Sequence, residues 1–323
     1  MKTVRVHEYG GPEVLRYEDV APEEAGPRQV RIRHTAIGVN FIDTYERTGL
    51  YPAKLPLVLG REGAGVVTQV GSQVSQLQAG DRVAYAANAA GAYAEERVID
   101  ASRAVALPAT ISDQQAAAMM LKGLTAWFLL RRCHRVRRNE PILLHSASGG
   151  VGLIALQWAV ALGAYVIAVV GSDAKAEIAR RHGAAQVIVS SREDIAGRVR
   201  AITKRRGVSV VYDGVGKDTF FASLDSLMPR GLMVTYGNAS GPVPPIAPLE
   251  LTKRGSLYLT RPTLIHYTAK ASELARGARE LFEVVGSGKV KVHIGQTYAL
   301  ADAAQAHRDL EARRTTGSTL LIP

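Results

Sequence analysis

The chain has 323 residues, 47% of them hydrophobic, and a formal net charge of +11 at pH 7. This is long enough for two domains of about 100–200 residues each, and the composition excludes a disordered chain. No apolar run approaches the roughly 20 residues of a membrane span, we expect no signal peptide, and a single cysteine, Cys133, excludes an internal disulfide and fits a reducing cytoplasm.

The positive charge has two interpretations. It could mark a nucleic-acid partner, or a basic surface that also attracts a charged nucleotide. Much of the excess is local, at Arg131–Arg138 and Lys204–Arg206. Because no nucleic-acid motif accompanies either run, nucleic-acid binding is kept only as an alternative.

The first third of the chain, to about residue 110, reads as β-rich. Apolar and polar residues alternate there at period two in short segments separated by Gly-containing turns. We expect strands at Val4–His7, Gln29–Ala36, Gly65–Val70, Arg82–Tyr85 and Ala92–Val98. Closely spaced short strands predict a small barrel.

A helical pattern follows from Ser112 to Leu130. Ser112 and Asp113 are expected to cap the first helix, and Gly123 to divide it from the next one.

Residues 141 to about 260 alternate apolar strands with helices. The strands are expected at Ile142–His145, Tyr165–Val170, Gln186–Val189, Val208–Tyr212, Gly231–Tyr236 and Ser256–Thr260, and the helices at Val151–Leu162, Ala174–His182, Glu193–Lys204 and Thr219–Leu227. Continuous apolar strands separated by helices predict a parallel sheet covered on both faces. Right-handed crossovers then predict a doubly wound α/β sheet in the order 3-2-1-4-5-6.

The first of these strands runs into a glycine-rich turn. Ala147 to Gly152 reads A-x-G-x-x-G, with alanine at the first glycine of the usual dinucleotide fingerprint. Gly149 suits a tight turn, Gly150 leaves room for a phosphate, and Gly152 allows close packing of the helix. The amides at the helix N-terminus then favour an anion. The strand, turn and helix together predict dinucleotide binding.

Three further loops are expected at the same edge, because ligands of such sheets lie at the carboxyl ends of the strands. They begin at Gly171, Asp213 and Tyr236. After the second strand, Ser172 and Lys175 could neutralise a 2′-phosphate and favour NADPH. Asp173 could instead serve a ribose hydroxyl, as in NAD binders, or simply favour the helix N-terminus.

The last part of the chain is expected to rejoin the first. A proline-rich connection, Gly241–Leu251, should be extended and not helical. After Arg261-Pro262 we expect amphipathic helices at about Ala271–Ser287 and Asp302–Arg313 and a final strand at Ser318–Leu321. This tail lacks the turn needed to close a sheet of its own, so it is expected to return to the N-terminal domain.

Metal and hydrolase chemistry find little support. The eight histidines form no zinc-type pair, and there is only one cysteine. Ser146 and Ser148 lack the G-x-S-x-G context of a hydrolase nucleophile.

The whole chain resembles the zinc-free NADPH:quinone oxidoreductases of the zeta-crystallin type, within the medium-chain dehydrogenase/reductase superfamily. The segments that carry the resemblance are GVNFIDTYERTGLYP, LGREGAGVV, GDRVAYA with GAYAEE, LKGLTAW, HSASGGVGLIALQWA, VVYDGVGKDTF, RGLMVTYGNASG, GSLYLTRP and RRTTGSTLLIP. The resemblance implies a GroES-like β-rich catalytic domain at 1–121 and 262–323. It implies a Rossmann-type nucleotide domain at 122–261.

The chain departs from the zinc alcohol dehydrogenases of that superfamily at the metal positions. Those enzymes carry a cysteine in the segment that matches Gly38–Tyr45, and a histidine before the glutamate that matches Glu62. Here Asn40 lies in the first segment, Arg61 precedes Glu62, and the structural-zinc cysteines are missing. We therefore expect no metal.

The resemblance also implies site residues. Asn40 and Tyr45 would be catalytic. The cofactor would be bound by Phe41, Ile42, Asp43, Thr125, Phe128, Gly149, Gly150, Val151, Gly171, Ser172, Lys175, Val215, Tyr236, Gly237, Asn238, Ser240, Pro262, Thr263, Leu264 and Arg313. Related enzymes often have a tyrosine where this chain has Ser190, which weakens the NADPH assignment without reversing it.

The implied reaction is the reduction of a quinone by NADPH in an interdomain cleft, without a metal. Asn40 and Tyr45 would orient the quinone carbonyl, and Tyr45 could donate a proton or only pack. Two alternatives remain: reduction of the double bond of an enone or enal, and RNA binding by the basic surface. A homodimer through the strand Ser256–Thr260 is expected, in the cytoplasm.

Overall fold

The computed structural model describes residues 1–86 and 89–323. They divide into two compact units. The first unit contains Met1–Leu124, Thr268–Gly286 and Val292–Pro323, and the second contains Thr125–Tyr267 and Ser287–Lys291. Both main boundaries fall a few residues later than the resemblance implies, and the short segment Ser287–Lys291 groups with the second unit.

The first unit is built mainly of strands. They are β1 Lys2–Val6, β2 Leu15–Asp19, β3 Gln29–Val39, β4 Leu57–Val58, β5 Glu62–Val70, β6 Arg82–Ala86, β7 Glu96–Asp100, β8 Val105–Ala106, β15 Ile294–Ala299 and β16 Ser318–Ile322. The sequence pattern missed β2 and β15, which carry many charged or polar residues, and it placed β7 too early.

Strand β3 pairs with three other strands of this unit, β5, β7 and β16. The larger sheet has the order β15-β16-β3-β5-β6-β8, β7 also pairs with β3, and β2-β1-β4 form a separate sheet. The tail strand β16 pairs antiparallel to β3, with Thr319 opposite Val39. The expected return of the tail to the N-terminal strands is therefore confirmed. Buried Val30, Ile32 and Ile37 of β3 contribute to the core.

The helices of this part of the chain are α1 Phe41–Arg47, α2 Asp113–Phe128, α9 Ala271–Gly286 and α10 Ala303–Glu311. The expectation that Gly123 separates two helices is wrong, because α2 runs through it and continues as a π-helical turn over Leu129–Cys133. A Cβ atom at Gly123 would lie 2.5 Å from Leu281 Cδ1 of α9. The glycine allows two helices to approach closely, so it marks packing and not a break.

The second unit contains a six-stranded parallel sheet. Its strands are β9 Pro141–His145, β10 Tyr165–Val170, β11 Gln186–Val189, β12 Val208–Asp213, β13 Leu227–Thr235 and β14 Tyr258–Thr260. Its helices are α3 Gly150–Ala161, α4 Asp173–Arg181, α5 Ile195–Ile202, α6 Phe220–Asp225, α7 Leu249–Lys253 and α8 Leu264–Tyr267. The order β11-β10-β9-β12-β13-β14 confirms the predicted 3-2-1-4-5-6 arrangement.

Burial explains why these strands read as continuous apolar runs. Leu143, Ile167 and Val211 are each 0% exposed, as expected for a sheet covered on both faces. The proline-rich connection has no regular secondary structure over 241–247, but its last residues begin α7, so the expectation of no helix is wrong at that end. Within residues 1–86 and 89–323, no helix is both long and apolar enough to cross a membrane.

Candidate functional site

The glycine-rich turn joins β9 to α3. Ser146 adopts a positive φ of 51°, and Gly149 N–H donates to the Ser146 carbonyl over 2.9 Å. A Cβ atom at Gly152 would lie 2.0 Å from that same carbonyl oxygen, so only glycine fits there. The N-cap residue of α3 is Gly149, which offers no side chain to the first helical amides. These amides therefore form a cradle that suits a pyrophosphate.

The next loop along the sheet edge carries the candidate 2′-phosphate site. Ser172 is the N-cap of α4, and its Oγ accepts from Lys175 N–H over 3.4 Å. Asp173 forms an ion pair with Arg192 over 2.5 Å. The carboxylate that could have served a ribose hydroxyl is thus engaged by a cation. Arg192 was not among the residues expected from the sequence, although it lies two residues after Ser190.

Asp213 is the last residue of β12 and begins the third loop. Its Oδ1 accepts from Val215 N–H (2.7 Å) and Gly216 N–H (3.1 Å), and its Oδ2 accepts from the Thr219 hydroxyl (2.7 Å). The Ser223 hydroxyl also donates to Oδ2, over 2.8 Å. Four donors thus hold the turn that follows β12 in one conformation.

The same network reaches the strand under the glycine-rich turn. Because the Ser223 hydrogen is donated to Asp213, its oxygen accepts from His145 Nε2–H over 2.9 Å. Burial lowers the pKa of His145, so it is neutral at pH 7. Burial alone would raise the pKa of Asp213, but His145 and the hydrogen bonds from Thr219 and Ser223 lower it. The turns after β9 and β12 are therefore held together by one polar network.

The fourth loop follows β13. The Ser240 hydroxyl donates to the Val215 carbonyl over 2.9 Å and accepts from Asp218 N–H over 3.0 Å. Arg261 Nη1 donates to the Gly237 carbonyl over 2.9 Å. Arg261 was not among the residues expected at the site, although its neighbours Pro262, Thr263 and Leu264 were. Arg261 directly follows the last strand of the sheet, and this position could have indicated that it lies at the same sheet edge.

The remaining expected residues of the second unit differ in accessibility. Gly150 and Val151 begin α3, and Gly171, Tyr236 and Asn238 lie in the loops at the sheet edge. Phe128 is 1% exposed and stacks on Tyr267, with ring centroids 4.7 Å apart. Thr125, Pro262 and Leu264 are half-buried, and Thr263 is exposed.

In the first unit, Asn40 lies next to a buried ion pair. Asn40 Nδ2 donates to Glu62 Oε1 over 2.8 Å, and Lys122 Nζ donates to the same oxygen over 2.5 Å. Leu121 N–H donates to the other oxygen, Oε2, over 2.6 Å. Glu62 is 0% exposed and Lys122 4% exposed. Neither residue had been assigned a role from the sequence.

A second buried network supports the other side of α1. Asp43 Oδ2 accepts from Asn40 N–H over 2.8 Å and from the Tyr93 hydroxyl over 2.9 Å. The Tyr93 oxygen lies 3.0 Å from His307 Nε2. Arg47 Nη1 donates to His307 Nδ1 over 3.1 Å, so Nε2 carries the histidine proton and donates to Tyr93.

Burial shifts the pKa values of this network. It raises the pKa of Asp43 to about 7, with a further contribution from Glu46. It lowers the pKa of His307 to about 3, assisted by Arg47. The histidine is therefore neutral at pH 7, whereas Asp43 changes its charge near neutrality.

The other expected residues of the first unit lie on or near α1. Tyr45 is 8% exposed and packs edge-on against Tyr51, with ring centroids 5.3 Å apart. Phe41 and Ile42 are half-buried. Arg313 is exposed just after α10, with a positive φ of 58°. The packing of Tyr45 suits a structural role as well as a chemical one.

The position of the missing zinc histidine holds an ion pair. Arg61 Nε donates to Glu46 Oε1 over 3.0 Å, and Glu46 is 3% exposed. A guanidinium supplies donors only and cannot ligate a cation. Throughout the described parts of the chain, no three His, Cys, Asp or Glu side chains come together as a possible metal site.

Two known families match separate parts of the chain. Residues 26–109 match the alcohol dehydrogenase GroES-like domain, and residues 150–288 match the zinc-binding dehydrogenase family.

Similar proteins cover the whole chain. The quinone oxidoreductase of Pseudomonas aeruginosa is 53% identical over 100% of this chain and 99% of its own length. The crystal structure of Escherichia coli quinone oxidoreductase complexed with NADPH is 48% identical, has a TM-score of 0.99 and covers 100% of both chains. A 2-haloacrylate reductase of a Burkholderia species is 43% identical over 98% of each chain.

Proposed function

The chain belongs to the quinone oxidoreductase family of the medium-chain dehydrogenase/reductase superfamily, and from this we propose that it reduces quinones with NADPH. The assignment of NADPH as the cofactor depends on the residues in the loop after β10. There Ser172 caps the helix that carries Lys175, and the carboxylate of Asp173 is paired with Arg192. A free acid at this position would favour NAD instead.

The residues present fit this cofactor. NADPH, when bound, supplies the reducing equivalents. The uncapped amides of α3 would hold the pyrophosphate, and Lys175 and Arg192 would neutralise the 2′-phosphate. The networks around Asp213 and Arg261 hold the neighbouring loops in place. Asn40 and Tyr45 are the residues that we assign to the nicotinamide and the acceptor.

The test is NADPH oxidation with 1,4-benzoquinone, measured beside NADH and beside a simple enone. We expect rapid turnover with NADPH and the quinone, and much slower turnover with NADH. Faster turnover with NADH would contradict the assignment of Ser172 and Lys175. Tight NADPH binding without quinone turnover would contradict quinone as the acceptor.

A second candidate reaction is the reduction of an activated carbon–carbon double bond. It is favoured by the relative named 2-haloacrylate reductase, since an acrylate contains such a bond. The enone reaction in the same experiment decides between the two. Turnover of the enone in preference to the quinone would retain the cofactor and replace the substrate class.

The proposed role of Tyr45 as proton donor can be tested separately. Tyr45→Phe removes only the hydroxyl and preserves the ring contact with Tyr51. If the hydroxyl donates a proton, we expect quinone turnover to fall by about 10²-fold or more, with little change in NADPH affinity. Unchanged turnover would leave Tyr45 with a packing role. Tyr51→Phe, in the same aromatic cluster, is the matched control.

The proposed reaction needs no metal, because Asn40 and Arg61 stand where related dehydrogenases have a cysteine and a histidine. Treatment with a chelator should therefore leave quinone turnover unchanged. The single half-buried thiol, Cys133, supports a cytoplasmic location, since it has no partner within the chain for a disulfide.

We also propose a homodimer through the edge strand β14. Among residues 1–86 and 89–323, β14 pairs with β13 and lies at one end of the sheet. Tyr258 is 62% exposed and Leu259 37% exposed on this strand. An apolar strand with an unpaired edge favours pairing with a second copy.

A further inference from the structure

Asn40 has no amide hydrogen left for a ligand. Its Nδ2 donates to Glu62 Oε1 over 2.8 Å and to the Gly38 carbonyl over 3.4 Å. A side-chain amide nitrogen carries two hydrogens, so both are engaged. The backbone N–H of Asn40 is engaged as well, because it donates to Asp43 Oδ2. The side-chain oxygen faces the N–H of Asp43 in the capping box of α1, and because an amide oxygen can accept two hydrogen bonds, it can still accept one from a bound molecule.

The amide is held in this orientation by the group that faces it. Glu62 is fully buried, and its two oxygens accept from Lys122 Nζ and Leu121 N–H. A carboxylate accepts hydrogen bonds and does not donate them. If the Asn40 amide turned over, its oxygen would face this carboxylate, and two buried acceptors would lie together without a hydrogen. The ammonium of Lys122 is the counter-charge that accompanies the carboxylate.

We propose that Lys122 and Glu62 are positioning residues that fix the polarity of Asn40, so that Asn40 contacts bound molecules only as a hydrogen-bond acceptor. This inference rests on the proposed function, which places Asn40 beside the reacting groups. The partner of Asn40 must then carry an N–H or O–H. A quinone carbonyl oxygen only accepts, so the orienting role expected for Asn40 from the sequence does not fit this geometry.

The reacting groups, the nicotinamide and the acceptor, offer two donors of this class. One is the amino group of the nicotinamide carboxamide, and the other is the hydroxyl of the hydroquinone product. Each has a close analogue that lacks the donor. In 3-acetylpyridine adenine dinucleotide phosphate a methyl group replaces the amino group, and in 1,4-dimethoxybenzene both hydroxyls are methylated.

The first measurement compares each donor with its analogue on the parent protein. Dissociation constants are measured for NADPH and for the reduced acetylpyridine analogue, and inhibition constants for hydroquinone and its dimethyl ether. We expect the parent to favour the donor in one of these pairs by about two- to tenfold, the usual effect of one hydrogen bond. The pair that shows the preference identifies the partner of Asn40.

The decisive variant is Glu62→Gln combined with Lys122→Met. The introduced glutamine can accept from Leu121 N–H and donate its amino group to the Asn40 oxygen, which allows the Asn40 amide to turn over. Both buried charges are removed together, a change that folded proteins often tolerate. We expect the preference for the donor to disappear, to a ratio of about one. Lys122→Arg keeps a cation beside Glu62 and should retain the preference.

Two further variants complete the test. Arg82→Met with Asp113→Asn removes another ion pair of the first unit, 2.6 Å long, and should leave both ratios unchanged. Asn40→Leu removes the acceptor with the ion pair intact, and should abolish the preference even if the double variant does not fold.

The outcomes separate this inference from the proposed function. A parent without a preference in either pair, or a Glu62→Gln/Lys122→Met protein that retains it, overturns the assignment of Lys122 and Glu62. A parent that prefers NADPH to its analogue but does not reduce a quinone supports the polarity of Asn40 and contradicts only the proposed acceptor.

Discussion

Single residues of α1 show how this site is supported. Asp43, Glu46 and Arg47 are 0%, 3% and 1% exposed, although charged side chains are rarely buried. Each has a specific partner: Tyr93 for Asp43, Arg61 for Glu46 and Glu311 for Arg47. Because a buried charge without a partner is strongly destabilising, these contacts determine where α1, and with it Asn40, lies in the first unit.

Asp43 gives a testable pH dependence of stability. Its pKa is raised to about 7 in the folded protein from the model-compound value of 3.8. Between about pH 4 and pH 7 the folded state therefore holds a proton that the unfolded state has released. The free energy of unfolding contributed by this group falls as the pH rises through that window, by ~1.4 kcal/mol for each unit of pKa difference.

We expect Asp43→Asn to gain stability relative to the parent as the pH rises from 4 to 7. Urea unfolding midpoints of both proteins across this range provide the measurement. Asp309→Asn is the control, because hydrogen bonds from Tyr298 and Gln305 lower the pKa of Asp309, and the sign is then opposite. A constant difference between parent and Asp43→Asn would show that Asp43 does not titrate in this window.

At the scale of elements, the site depends on close approaches between helices, turns and strands. The N-terminal turn of α3 lies against the turn that precedes it, and the close contact between α2 and α9 occurs at Gly123. Strand β14 lies at the edge of its sheet, and within the described part of the chain one row of its backbone groups has no neighbouring strand.

Gly152→Ala tests the approach of α3 to its turn. The added methyl would lie 2.0 Å from the Ser146 carbonyl oxygen, which is part of the backbone and cannot move aside alone. We expect the variant to lose about 1–3 kcal/mol of stability and to bind NADPH more weakly. Gly286→Ala, where nothing lies within 4 Å of the added atom, should be neutral or slightly stabilising. Equal stabilities would contradict the close contact.

Tyr258→Lys tests the proposed dimer. A lysine on an edge strand opposes strand pairing with a second copy, so light scattering should show a dimer for the parent and a monomer for the variant. Tyr17→Lys is the matched control, since Tyr17 is 46% exposed on β2. A Tyr258→Lys protein that remains dimeric would place the interface elsewhere.

At the scale of the whole molecule, the net charge of +11 favours anionic ligands. Half-buried Lys175 and exposed Arg192, which we assign to the 2′-phosphate, should attract NADPH further but not NADH, which lacks that phosphate. Salt screens interactions between exposed charges. We therefore expect rising ionic strength to weaken NADPH binding more than NADH binding, so that the preference for NADPH decreases.

Arg192→Ala separates the contribution of the 2′-phosphate site to cofactor binding from the contribution of the net charge. Arg192 is 58% exposed at its side chain, and its removal should raise the dissociation constant of NADPH several-fold. Because the change also releases Asp173 for a ribose hydroxyl, the dissociation constant of NADH should stay the same or fall. Arg198→Ala removes an exposed cation that pairs with Glu193 and should affect both cofactors equally. An equal effect of Arg192→Ala on NADPH and NADH would exclude a specific role for Arg192.

Local patterns in the sequence determined the order of elements and the loops of the second unit. Continuous apolar strands, helices between them and a glycine-rich turn specify a parallel sheet, because each signal acts over a few neighbouring residues. The pattern erred where tertiary packing overrides local preference: Gly123 lies within a helix, and the polar strands β2 and β15 are stabilised by their neighbours in the sheet.

Only the tertiary structure decided the polar partners within the site. Lys122 meets Glu62, Arg192 meets Asp173, and His307 meets Tyr93 across 60, 19 and 214 positions of the chain. No local spacing encodes such pairs, since they form where separate elements bury their side chains together. The sequence alone thus determined the family, the fold and the chemical types of residue at the site. Folding decided which of their donors and acceptors remain for a ligand.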